Sequence, residues 1–98
     1  MKPAKFHPIA ESEMIGSAAF YEERRPFLGD DFLDSIDEAL AKIRRLPEMG
    51  KPEKLHARSW KVSRFPFRIF YRIQPDRIWI VAVAHLSRRP DYWLNRLG

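Results

Sequence analysis

The chain has 98 residues, 45% of them hydrophobic and 13% aromatic, and contains no cysteine. A chain of this length buries one core, so residues 1–98 are expected to form a single domain, and disulfide frameworks, thiolate metal sites and cysteine nucleophiles are excluded. The formal charge of +5 hides a polarity: residues 1–50 carry seven Lys or Arg against ten Asp or Glu, a net of −3, whereas residues 51–98 carry eleven against three, a net of +8.

At the start of the chain, Pro3 and Pro8 punctuate a short segment in which Lys5, Phe6 and His7 suit a brief edge strand. Pro8 fits the first turn of a helix. Ala10, Met14, Ala18 and Tyr21 recur at helical spacing, which predicts an amphipathic helix running to about Arg24 and weakened slightly by Gly16. The four glutamates of this region, Glu11, Glu13, Glu22 and Glu23, leave no apolar export signal. Pro26 and Gly29 break the pattern, and Asp30 or Asp31 is the expected cap of a second helix. The buried stripe of that helix is Phe32, Ile36, Ala39, Leu40 and Ile43, and Lys42, Arg44 and Arg45 complement the dipole at its end. The segment PEMGKPEK, Pro47 to Lys54, stops it.

Beyond this point the hydrophobic period changes to two, the mark of strands. Trp60 and Val62 alternate with Lys61 and Ser63, and Phe67, Ile69, Tyr71 and Ile73 alternate with Arg68, Phe70, Arg72 and Gln74. Gln74-Pro75-Asp76-Arg77 reads as a turn. Ile78 to Leu86 is apolar on both faces and should be a central strand. Its uncharged stretch, ending at Ala84, is far shorter than the roughly 20 residues a bilayer crossing needs, so a cytoplasmic protein without membrane contact is expected. The fold class that follows is α+β: an N-terminal helical pair packed on one face of a small antiparallel sheet, an antiparallel meander of three strands, with a short C-terminal segment.

The chemistry-bearing residues concentrate near the end, in AHLSRRPDYW. Strict alternation places His85 on the same face as Trp79, Val81 and Val83, at a strand end open to solvent. Arg68 and Arg72 share a face of the middle strand, Arg64 lies beside it, Lys61 belongs to the neighbouring strand, and Arg88 and Arg89 follow His85. Guanidinium groups gathered there offer forked donors to phosphate or to the carboxylates of a peptide, although a single surface arginine is more often a solvated, solubilising residue. Tyr92 and Trp93 suit either stacking on a base or sealing the core with Leu94 and Leu97. Metal-free RNA cleavage needs a proton acceptor, cations for the transition-state charge and an acid for the leaving oxygen; His85, Arg68, Arg88 and Tyr92 are of suitable types. His7, His56 and His85 lie far apart in the chain, and neither a phosphate loop nor a nucleophile elbow is present, so no metal and no cofactor is expected.

FHPIAE at the start, the helical pair, LPEMGKP, RFPFRIFYRI, DRIWIVAVAH and RRPDYW appear in an order that resembles the RelE/ParE superfamily of bacterial toxins from type II toxin–antitoxin modules. The resemblance implies a growth-inhibiting toxin neutralised by a cognate antitoxin whose extended or helical segment wraps it. The antitoxin is expected on the helix pair or the exposed sheet face, where Phe27 and Phe70 remain for a partner. Two targets are implied by different branches: RelE-like members cleave mRNA on the ribosome, and ParE-like members inhibit DNA gyrase by binding. Arg68 and Tyr92 match places where RelE-like nucleases hold functional residues, but Leu86 stands where such nucleases often have arginine. That departure tilts the expectation towards gyrase, with Lys61, Arg64, Arg72 and Arg89 touching the target. The alternatives are the ribonuclease, with Arg68, His85, Arg88 and Tyr92 as its catalytic set, and an inactive module that only binds antitoxin.

Overall fold

A computed structural model describes residues 1–98. Helix α1 spans Pro8–Arg24. Pro8 begins it, where a missing backbone donor is no loss, and the His7 ring caps it, with Nδ1 accepting from Ile9 N at 3.1 Å. Ala10 and Ala18 are buried in the core, and Met14 and Tyr21 pack against it. The other side of the helix is less polar than an ordinary solvent face, since Ile9, Ile15 and Phe20 are all exposed there.

Helix α2 spans Leu28–Arg45 and buries Phe32, Ile36, Ala39 and Ile43. Neither Asp30 nor Asp31 is its cap. The helix starts at least three residues earlier than that reading requires, Phe27 holds the cap position in a left-handed conformation with φ 68°, and both aspartates fall in the first turn. The acceptor comes instead from α1: Glu22 takes the backbone N–H groups of Phe27 and Gly29, each at 3.0 Å. A carboxylate here both satisfies orphan donors and opposes the positive end of the helix. Gly29 allows the approach, because a Cβ at this position would stand 2.6 Å from the Ala18 carbonyl oxygen.

The sheet contains β1 (Ala4–Phe6), β2 (Lys51–Pro52), β3 (Arg58–Lys61), β4 (Phe67–Ile73) and β5 (Ile78–His85), in the order β1-β5-β4-β3-β2. Strands β3, β4 and β5 form the antiparallel meander read from the sequence. Two short strands extend it. The first strand lies parallel to β5, with Ala4 opposite Ile78 and Phe6 opposite Ile80, and β2, from the proline-rich connection, pairs with β3. The five-stranded sheet is therefore mixed rather than wholly antiparallel.

A β-bulge in β5 decides which side chains share a face. Phe70 pairs with Ala82, but the next residue, Tyr71, pairs with Ile80, leaving Val81 as the extra residue. An inserted residue breaks the two-residue period, so alternation cannot be carried through it. Ile78, Ile80 and Val83 join Phe67, Ile69 and Tyr71 in the core under the helices. Val81, Ala82 and Ala84 belong to a second core on the reverse face, closed by Ala57, Trp93 and Leu97. His85 pairs with Phe67 and packs edge-on against its ring, centroids 5.3 Å apart. It thus lies on the helix side with Val83, not with Trp79 and Val81.

Candidate functional site

The bulge leaves backbone groups beyond the reach of β1, whose last bond is His7 N to Ile80 O at 2.8 Å. Side chains take over from there. Arg96 Nη1 donates to Val81 O at 3.1 Å, and Val83 N donates to Glu13 Oε1 at 3.0 Å. Glu13 and Arg96 also pair with each other at 3.1 Å, with side chains only 13% and 9% exposed. Such a pair is held where each remaining polar atom finds a partner. The second oxygen, Glu13 Oε2, accepts from the Tyr92 hydroxyl at 2.8 Å. The Arg88 and Arg96 guanidiniums lie over the Tyr92 ring, 3.9 and 4.9 Å from its centroid. Burial, then the hydrogen bond and negative charge of Glu13, hold the Tyr92 phenol pKa far above that of an ordinary tyrosine, outweighing the two arginines.

Beside this network a cavity of about 210 Å³ opens on the reverse side of the sheet. Arg68, Arg88, Arg89 and Tyr92 line it together, and His85 borders it from the end of β5 with its ring turned to the helix side against Phe67. Arg68 is half-buried and fixed at one end, Nε donating to Ser59 Oγ at 2.9 Å; Ser59 in turn donates to Glu53 Oε2 at 2.6 Å. No carboxylate forms an ion pair with Arg68. Asp91, on the rim, is taken by Lys54 at 2.6 Å. The floor is Phe70, stacked on buried Trp93 with centroids 4.8 Å apart. His85 is exposed, and its Nδ1 accepts from Ser87 N at 3.0 Å and lies 2.7 Å from Ser87 Oγ.

Three other arginine and lysine positions lie elsewhere. Arg72 shares the reverse face with Arg68 but sits further along β4, opposite Trp79 and outside the cavity. Lys61 turns its amine back to the carbonyls of Val62 and Phe65, at 2.9 and 3.0 Å. Arg64, at φ 70°, reaches across to Ser35 Oγ on α2 at 3.2 Å. The last two close loops within the fold. The residues not found by sequence reading are Glu13, Arg96 and the Glu53–Ser59 pair. Glu13 had a signal: it stands three positions after buried Ala10, on the flank of α1 that turns inward. For Arg96 there was none, because a lone arginine between two leucines reads as a solvated residue.

Chemically the cavity offers forked cations to an anion. Its acid and base candidates are already engaged, the Tyr92 proton with Glu13 and His85 Nδ1 with Ser87. Comparison with known proteins adds the wider context. A family model described as the ParE toxin of the type II toxin–antitoxin system parDE matches residues 4–90. Among solved structures, a chain of the chromosomal ParDE toxin–antitoxin system from P. aeruginosa superposes with a TM-score of 0.64 at 16% identity, covering 87% of this chain and 96% of that one. At that identity the likeness is one of fold. No curated protein sequence matches the chain.

Proposed function

The chain belongs to the ParE toxin family of type II toxin–antitoxin systems, and from that premise we propose that it arrests growth by binding DNA gyrase in the cytoplasm, not by cutting message, and is restrained by its cognate antitoxin. The observation that carries this reading is the engagement of Tyr92. A phenol that donates to a buried carboxylate at 2.8 Å, with its pKa pushed up, is a poor source of a proton for a leaving oxygen. Leu86, half-exposed at the rim of the cavity, adds an apolar contact where a nuclease would profit from another cation. In this reading Arg68, Arg88 and Arg89 make contact with a partner, Arg72 extends the basic face, and Lys61 and Arg64 serve the fold.

The rival, a ribosome-dependent ribonuclease, draws on Arg68, Arg88 and Tyr92 lining one cavity with His85 at its border. A DNA supercoiling assay with purified gyrase separates the two. Inhibition at micromolar toxin, with intact message in a translation extract, is the expected result. Message cleavage that disappears in Arg68→Ala and Tyr92→Phe would assign the nuclease role instead. Normal growth of a host producing folded protein at high level would leave an inactive antitoxin-binding module.

A further inference from the structure

We infer that the sheet surface around Trp79, at the end of the reverse face away from the cavity, is a contact for the phosphate backbone of duplex DNA, a proposal that rests on the gyrase reading above because that target acts on DNA. Trp79 lies opposite Lys5 of β1 and opposite Arg72 of β4. Ala4 and Phe6 pack against the core under the helices, so alternation turns Lys5 to the reverse face, where Arg72 also stands. Arg77, immediately before β5, lies over the Trp79 ring, 4.0 Å from its centroid, and its Nε donates to Gln74 Oε1 at 2.6 Å. The indole is itself held, Nε1 donating to Arg96 O at 2.9 Å. None of the three cations forms an ion pair, and Asp76 in the adjoining turn is exposed and pairs with none of them. None of them lines the cavity beside Arg68.

The layout fits a row of phosphates better than a single carboxylate or a base. Neighbouring strands lie about 4.8 Å apart, so Lys5 and Arg72, one strand to either side of β5, are rooted roughly 10 Å from each other. Their charges meet separate anions instead of closing on one. A duplex carries a phosphate about every 1.7 Å of its axis and supplies such anions in series. Single strands, by contrast, draw their affinity from bases stacked on free aromatic faces. Here Arg77 covers one face of the Trp79 ring, which packs against the reverse core with the His7 ring 5.8 Å away. Cations without a stacking platform read the backbone and not the sequence, so the contact is sequence-independent and weakened by salt.

Fluorescence anisotropy with three labelled probes, a short DNA duplex of arbitrary sequence, one of its single strands and hexaglutamate, tests the surface. Wild type is compared with Lys5→Gln/Arg72→Gln and with Lys42→Gln/Arg45→Gln, a control with the same loss of charge on α2, and thermal melts confirm that each folds. Three phosphate contacts predict a slope of log affinity against log salt near about −2.7, or roughly a fortyfold loss between about 50 and 200 mM salt. Lys5→Gln/Arg72→Gln should make the slope shallower by about 1.8, and the control should leave it within about 0.5. In the supercoiling assay the same double variant should inhibit gyrase at least about fivefold less well than wild type. A duplex slope unchanged in Lys5→Gln/Arg72→Gln, or changed equally in the control, removes the surface and leaves the gyrase reading standing. Tighter binding of the single strand or of hexaglutamate, lost in the same variant, assigns the patch to another class of partner and overturns the proposal. No inhibition of supercoiling by wild type overturns the gyrase reading and the proposal with it.

Discussion

Replacing Glu13 with alanine removes one acceptor from three donors: Val83 N at 3.0 Å, the Tyr92 hydroxyl at 2.8 Å and Arg96 Nη1 at 3.1 Å. Arg96 would then keep only the Val81 carbonyl, on a side chain 9% exposed. Breaking a buried ion pair from one side costs roughly 3–5 kcal/mol, most of it from the stranded charge. Against a whole-domain stability on the order of 5–15 kcal/mol, that is a large fraction. Glu13→Gln retains an acceptor for Val83 N and should cost about half as much, since a neutral amide still hydrogen-bonds but no longer balances Arg96. The double variant Glu13→Ala/Arg96→Met strands neither charge, so its loss should fall short of the sum of the singles by about 1–3 kcal/mol. Urea unfolding followed by tryptophan fluorescence measures each midpoint, with an unchanged slope as the condition for comparing them. A shift under about 0.5 kcal/mol for Glu13→Ala, the size of an ordinary surface change, would refute the claim that this carboxylate supports the bulge. So would strict additivity of the two single variants.

Three further outcomes follow from the packing. Burial is the largest cause of a raised phenol pKa at Tyr21, Tyr71 and Tyr92. A group whose pKa is raised by folding favours the folded state fully below its unfolded value and loses that contribution as pH climbs towards the folded one, so melting temperature should begin to fall above about pH 10; Tyr92→Phe should soften that fall, and an identical alkaline profile in that variant would contradict the reasoning. Gly29→Ala sets a methyl 2.6 Å from the Ala18 carbonyl oxygen and should cost about 1–3 kcal/mol as α1 and α2 are pushed apart, read as a drop in melting temperature. Trp93→Ala empties the centre of the reverse core, where the indole is 1% exposed, and should cost about 3–5 kcal/mol in urea; a loss below about 1 kcal/mol would mean the C-terminal segment does not brace the sheet.

The helices and the meander were legible because each has a long run of one period: Phe32, Ile36, Ala39 and Ile43 at helical spacing, then Phe67, Ile69 and Tyr71 at strand spacing. The short edge strands were harder. The first was read one residue late, and β2 is only Lys51–Pro52, too brief for any period and hidden in a proline-rich connection. The bulge left no trace either, because Val81 and Ala82 are both apolar and both buried, and a run without polar residues does not show where alternation slips. That slip moved His85 to the helix side of the sheet. The cap of α2 was misread for a similar reason: local rules favour an aspartate nearby, whereas the acceptor is Glu22 of the preceding helix. The cationic side of the cavity was visible from composition, since Arg68, Arg88 and Arg89 cluster in the basic half. The carboxylate that holds Tyr92 beside it was not, because Glu13 reaches the phenol only through tertiary packing.

The parallel pairing of Ala4–Phe6 with Ile78–Ile80 ties the beginning of the chain to a stretch near its end. Closing a loop that wide carries an entropic cost that is met only once β5 is available to pair. During synthesis the helices therefore emerge long before the strand that covers them. A chain stopped before β5 lacks the middle of the sheet and the residues that both cores draw from it. Both hydrophobic cores therefore close only when the last long strand has been made.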